Sequence, residues 1–253
     1  MNTRTTLILL TLLWSVPVSG IAQMVNDARR EEALQHYRNG QELMQDEQFE
    51  KAEQEFARAI ERDPLLTLAH YGRGQAFMAL QRYPSAIQAF MGCREAYRTI
   101  FSLRQSQTVA VDRRANEEIR ELKDAINSLR SGRIKSMGGV ASTVDTRVAQ
   151  LENRIRDLER MRQQGTGIFE TPAEVSLALG SAFFRNKQRE DAEREWVAAI
   201  EVNPRLGEAH NNLAVLYMLS GRKKEAEDAV REAERAGYRV NPGLKADIRK
   251  MGT

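Results

Sequence analysis

The sequence predicts an all-α repeat array of two repeat pairs, interrupted by an antiparallel coiled-coil hairpin. Three observations carry that prediction. The 253-residue chain is 29 % charged and 42 % hydrophobic, with 16 Gly, 6 Pro and few β-branched runs, a balance that favours helix over sheet. One string of small, aromatic and proline residues recurs at a step of 34 residues; periods of this size mark stacked repeats. Between the second and third copies, two stretches space their apolar residues alternately by four and three, the seam of paired helices.

The repeats come first. Gly40 is followed by Leu43, Phe49, Ala52, Phe56, Ala59 and Pro64. Gly74 opens the second copy, with Phe77, Tyr83, Ala86, Phe90 and Cys93. Gly180, Phe183, Ala192, Trp196, Ala199 and Pro204 form the third, and Ala214, Tyr217, Ala226, Val230 and Ala233 the fourth. The units are 33–66, 67–100, 173–206 and 207–240. In each, a small residue on a first helix and an Ala on a second allow the two to approach closely. A large residue (Phe56, Phe90, Trp196, Val230) fills the space between units. Pro64 and Pro204 stop the second helix, since Pro lacks an N–H and clashes with the preceding turn. Asp63 and Asn203 before them suit turns. One unit cannot bury its own apolar face, so the units must stack.

This string resembles the tetratricopeptide repeat, a 34-residue helix-turn-helix unit. The resemblance implies an inner groove lined by the first helices, at their second, fifth, ninth, twelfth and thirteenth places. On this chain the groove set is Tyr37, Gln41, Met44, Tyr71, Gln75, Met78, Leu177, Ser181, Phe184, Asn211, Val215 and Met218. Leu34, Leu68, Glu174 and Glu208 hold the second place. Tyr, Gln and Met recur in matched rows, chemistry that suits a peptide or a helix. The alternative is that the groove is filled in part by its own chain. The Lys- and Asn-based carboxylate clamp of some family members is not matched.

The copies depart from the pattern at two ends. Arg98 stands where unit two should have its Pro, and no Gly or Pro occurs from Arg94 to Ser131, so that helix is expected to run on. After unit four, Asn241-Pro242 precedes Leu244, Ile248 and Met251. This predicts a capping helix over 242–251, which shields the last apolar face.

In the insertion, 101–172, the seams are Ala115, Ile119, Leu122, Ile126 and Leu129, then Val144, Val148, Leu151, Ile155 and Leu158. They predict a hairpin over about 112–131 and about 143–163. Gly132, Gly138 and Gly139 mark its turn, and Gly165-Thr166-Gly167 a joint. Residues 101–165 hold 13 basic and 9 acidic side chains. Three readings are open: solvated helix faces, with Glu117 and Glu118 toward water; an arm for an acidic partner or anionic lipid; and a homodimer seam. Thr171, Pro172 and Glu174 predict a capped helix start.

The N-terminus reads as a signal peptide over 1–22. Arg4 is the only charge before Asp27, Leu7 to Val18 is a short apolar run, and Gly20 and Ala22 are small, the pattern of a cleavable export signal. The run is shorter than the ~20 apolar residues of a membrane span. An exported, periplasmic or extracellular body is expected, with membrane contact only if the segment is retained or through the basic hairpin. The formal net charge is only +3, which excludes the electrostatic footprint of a nucleic-acid binder.

Catalytic chemistry finds little to work with. One Cys cannot form an intrachain disulfide, and three His with one Cys are too few for an ordinary structural zinc site. His36, His70 and His210 share the fourth place of their units, and Cys93 stands where other units have Ala; both patterns read as packing. No phosphate loop, serine elbow or zinc helix occurs. No enzyme, cofactor or metal is expected. The chain is expected to be a non-catalytic protein–protein interaction scaffold of a bacterial cell envelope, binding a peptide or helix. The alternatives are a structural oligomer joined by the hairpin and, more remotely, a metal-binding protein or hydrolase.

Overall fold

The computed structural model describes residues 18–104, 108–131, 144–164 and 171–252, and among them every regular element is an α-helix. Most of segment 1–22, the glycines at 132, 138 and 139, and the 165–167 joint lie outside the described residues. Units one and two are α1 (Val18–Gln45), α2 (Phe49–Arg62), α3 (Thr67–Ala79) and α4 (Tyr83–Arg104). The insertion forms α5 (Thr108–Arg130) and α6 (Val144–Gln164). Units three and four are α7 (Ala173–Arg185), α8 (Arg189–Val202), α9 (Gly207–Leu219) and α10 (Lys223–Arg235), followed by α11 (Pro242–Lys250).

Each unit turns in the same way. The fifteenth residue takes a left-handed conformation in all four: Glu47, Gln81 and Lys187 at φ 57°, 57° and 65°, and Gly221 at 76°. The next backbone N–H then reaches back five residues, from Gln48 to Leu43, Arg82 to Phe77, Gln188 to Phe183 and Arg222 to Tyr217, at 2.8–2.9 Å. This is the Schellman closure that satisfies orphan carbonyls at a helix end. Only unit four has the residue, glycine, that adopts this conformation without steric cost.

Small residues set the distance between helices. A Cβ built on Gly40 would lie 2.7 Å from the Phe56 ring, and one on Gly72 would meet the same ring from the next unit at 2.7 Å. Gly74 faces Phe90 at least as closely, and a Cβ on Gly180 would lie 2.6 Å from the Trp196 ring. Phe56, Phe90 and Trp196 are buried to within 2 %. The Trp196 indole N–H also donates to the Leu177 carbonyl at 3.2 Å, so its one polar atom is satisfied.

Turns between units are fixed by side chains that the repeat supplies. Asp63 and Asn203 accept from the backbone N–H of Leu65 and Arg205, both at 3.1 Å. His70 and His210 sit beside the prolines of the preceding units, and each Nε2–H donates to a proline carbonyl, Pro64 at 2.9 Å and Pro204 at 3.0 Å. Burial lowers the His70 pKa, and the bond to Pro64 opposes that shift. His36 instead bonds Glu55 at 2.7 Å.

The two repeat pairs stack directly on each other. α4 packs on α7, and Phe77, Ile87, Phe90, Leu179 and Ala182 form one buried cluster across the junction. Arg94 and Glu195 pair over it. The array is therefore one continuous stack, and the insertion leaves it and returns without separating its units. α4 continues past the end of unit two to Arg104.

At the far end, Ile248 is buried and Leu244 and Met251 pack on the unit-four core. The Asn241 side chain caps α11 by accepting from Gly243 N at 2.7 Å. The start of α7 differs from the expected capping box. Ala173 is its first residue, Pro172 occupies the cap, and no side-chain cap bond forms; the Pro172 carbonyl takes the Val175 N–H instead, at 2.9 Å.

These turns and contacts predict different costs for two glycines. Gly180→Ala drives a methyl into Trp196 and should destabilise the protein by about 1–3 kcal/mol. Gly221→Ala has nothing within 4 Å of its new Cβ and should lose only about 1 kcal/mol, for the left-handed backbone. Urea unfolding followed by circular dichroism measures both.

Candidate functional site

The concave face is the candidate site, and its aromatic members are committed to packing within their own units. The Tyr37 ring lies 6.0 Å from that of Phe56, Tyr71 lies 5.4 Å from Phe90, and Phe184 lies 5.5 Å from Trp196, all tilted. Tyr37, Met44, Leu177 and Asn211 are buried. The other eight groove residues, Gln41, Tyr71, Gln75, Met78, Ser181, Phe184, Val215 and Met218, are half-buried. Ser181 donates its hydroxyl to Leu177 O at 3.0 Å, within its own helix. Gln41, Gln75, Met78, Val215 and Met218 are thus the members best placed to meet another molecule.

The hairpin packs against part of this face. Its two helices run antiparallel, because Arg130 pairs with Glu152 and Lys123 with Glu159, in opposite chain order. Ile119, Leu122, Ile126 and Leu129 of α5 are buried with Val148, Ile155 and Leu158 of α6, and Leu151 packs on them. Val144 is exposed. The same cluster takes in Cys93, Tyr97 and Ile100 of α4 and Val175 of α7, with Leu65, Leu68 and Tyr71 against it. Leu68 and Tyr71 hold the second and fifth groove places of unit two.

Charges hold the hairpin along the array. Arg38 of α1 meets Glu121 at 2.9 Å, Arg30 pairs with Glu117, and Arg113 with Asp27. The order 27, 30, 38 against 113, 117, 121 shows that α5 runs parallel to α1. Arg114 takes both oxygens of Asp63, at 2.9 and 3.1 Å, so the aspartate that fixes the turn into unit two also binds the insertion. On α6, Gln150 donates to Glu208 of unit four at 3.3 Å. The hairpin therefore reaches side chains of all four units.

One buried polar group joins the hairpin to the array. Arg154 Nε donates to Glu118 at 3.0 Å, the Tyr97 hydroxyl donates to the same oxygen at 3.1 Å, and the guanidinium lies 5.0 Å above the Tyr97 ring. Burial works against the Arg154 charge, but Tyr97 and Glu118 outweigh it and raise its pKa. Burial pushes Tyr97 well above its ordinary range. Cys93 is buried beside them, its thiol donating to Thr67 O at 3.4 Å and pushed up by the same desolvation; this is an inert thiol.

One sequence expectation changes here. Glu117 and Glu118 do not face water: Glu118 is buried and Glu117 pairs with Arg30. A two-helix pattern places both on a solvated hairpin face, and a third layer, the array itself, covers that face. The side chains that dock the hairpin, Arg30, Arg38, Tyr97, Arg114, Glu121 and Arg154, carry neither the repeat signature nor the seam spacing, so no sequence signal singles them out. Among the described residues no group of three or more His, Cys, Asp or Glu is placed to hold a metal ion. No helix among them is long and apolar enough to cross a membrane.

Comparison with known families agrees with this geometry. A family model described as tetratricopeptide repeat matches residues 37–96 and 177–238. The chain is a tetratricopeptide repeat protein. The two matched regions fall on the two helix-pair sets either side of the hairpin, and such repeats serve as protein–protein interaction modules. A comparison with curated proteins gives no match.

The buried ion pair predicts an asymmetric mutational response. Arg154→Met strands the Glu118 charge in a dry site and should cost about 3–5 kcal/mol. The double variant Arg154→Met/Glu118→Leu removes both charges and should recover most of that loss. Thermal unfolding of the three proteins checks this.

Proposed function

We propose that this tetratricopeptide repeat protein is an exported, non-catalytic scaffold that holds a protein partner on its concave face. One observation supports the reading: units two and three stack directly across the insertion, and Gln41, Gln75, Met78, Val215 and Met218, at the expected groove places, are half-buried. A Gln amide pairs with backbone N–H and C=O of a bound segment. Thioether side chains adapt to irregular apolar surface. Export rests on the N-terminal pattern of Arg4, the apolar run from Leu7 and the small residues Gly20 and Ala22. A bacterial envelope assembly is the setting that combines an exported chain with a scaffold.

Two measurements test the proposal together. Mass spectrometry of the protein from a secreting host should give a mature N-terminus at Gln23; retention of Met1 contradicts export by cleavage. Capture from envelope extract should lose its partner in the variant Gln41→Ala/Gln75→Ala/Met78→Ala, which leaves Phe56, Phe90 and Trp196 in place. Identical capture by wild type and variant contradicts the groove assignment.

A further inference from the structure

The array does not need the hairpin to close. α4 packs on α7 through Ile87, Phe90 and Leu179, and the hairpin's seam is filled between α5 and α6. The array has buried clusters that the hairpin does not enter. What joins them is a shared apolar floor (Leu65, Leu68, Tyr71, Cys93, Tyr97 and Val175), the bond from the Tyr97 hydroxyl to Glu118, and a belt of ion pairs. Glu121 and Asp63 are buried within that belt, at 6 % exposure each. The cost of desolvating such carboxylates largely offsets their attraction to Arg38 and Arg114. Pairs at the rim, such as Arg113 with Asp27, are weakened by salt.

The bound α5 also displays what this floor accepts. It is an amphipathic helix whose apolar residues share one buried cluster with α6 and with the floor, and it carries Glu117 and Glu121 four residues apart. Their receptors are Arg30 and Arg38, eight residues apart on α1.

We propose that the hairpin is a displaceable occupant of the concave face, and that the partner replacing it presents an amphipathic helix with an acidic pair at the spacing of Glu117 and Glu121. The proposal rests on the reading of the array as an interaction module. It adds a closed state, in which α5 stands in for the partner, and an open state, in which Arg30, Arg38 and Leu68 face the incoming helix. A partner lacking the acid pair leaves the two arginines unmatched and competes poorly with the chain's own helix.

The test uses the full chain. In a Cys93→Ala background, dyes at Gln54→Cys and Asn127→Cys, both exposed positions, report the distance from α2 to the hairpin by single-molecule energy transfer. The hairpin-side variant Glu117→Gln/Glu121→Gln leaves every array residue intact. It should raise the long-distance population roughly tenfold at constant helicity, as expected when charge complementarity holds an interface. The probe is a peptide copying residues 108–130, stapled through its exposed positions 120 and 124. It should open the wild-type chain, and the same peptide carrying Glu117→Gln/Glu121→Gln should need a roughly tenfold higher concentration. A single unchanged distance in the variant, in high salt and with peptide overturns the proposal. An opening hairpin together with unchanged partner capture by the groove variant supports the displaceable hairpin and contradicts the groove assignment above. Partner capture without any change in distance does the reverse.

Discussion

The packing of α4 on α7 governs the rest of the molecule. Phe90 and Ile87 of unit two meet Leu179 and Ala182 of unit three as any two successive repeats would. Chain continuity is broken there by the insertion, yet spatial continuity is kept. Four helix pairs therefore form one stack of successive buried clusters, and the inserted hairpin has to lie alongside them. The concave edge receives it because the chain leaves α4 and re-enters α7 at the ends that border the first-helix row. The stacking contact thus fixes both the length of the first-helix face and the place of the hairpin.

The docking of that cover is polar in a way the array core is not. Within the array, glycine and alanine meet aromatic rings, and the polar atoms that are buried close local bonds, as Trp196 does with Leu177. Between array and hairpin, arginine and carboxylate pairs sit on an apolar floor. Apolar burial supplies most of the net stability of such a contact, while paired charges set register and orientation. Arg154, Glu118 and Tyr97 do this from inside. Arg38 with Glu121 and Arg114 with Asp63 do it nearer the rim. A contact of this kind is specific without being irreversible.

Much of the fold was legible in the sequence because the repeat carries its own geometry. Gly40, Gly74 and Gly180 announce close approach, and Pro64 and Pro204 mark unit ends. The four-and-three spacings mark paired helices. The shared left-handed turn was hidden, since Glu47, Gln81 and Lys187 are not residues that advertise positive φ. Gly72 belongs to no repeat position, and its use is plain only once Phe56 lies between it and Gly40. The accessibility of the expected groove places was not legible: Tyr37, Tyr71 and Phe184 recur in register and yet spend their faces on Phe56, Phe90 and Trp196. The docked hairpin was least legible. Glu117 and Glu121 lie away from the α5 seam, where a two-helix pattern puts water, and only the third layer pairs the first and buries the second.

The continuous stack is tested most directly by a double-mutant cycle across the insertion, with Ile87→Ala in α4 and Leu179→Ala in α7. Their unfolding free energies, read from the fluorescence of Trp196 in a Trp14→Phe background, should fail to add, with a coupling of about 0.5–3 kcal/mol expected for residues in contact. Additivity to within about 0.3 kcal/mol would mean that units two and three do not touch in solution, and the single continuous array would be contradicted.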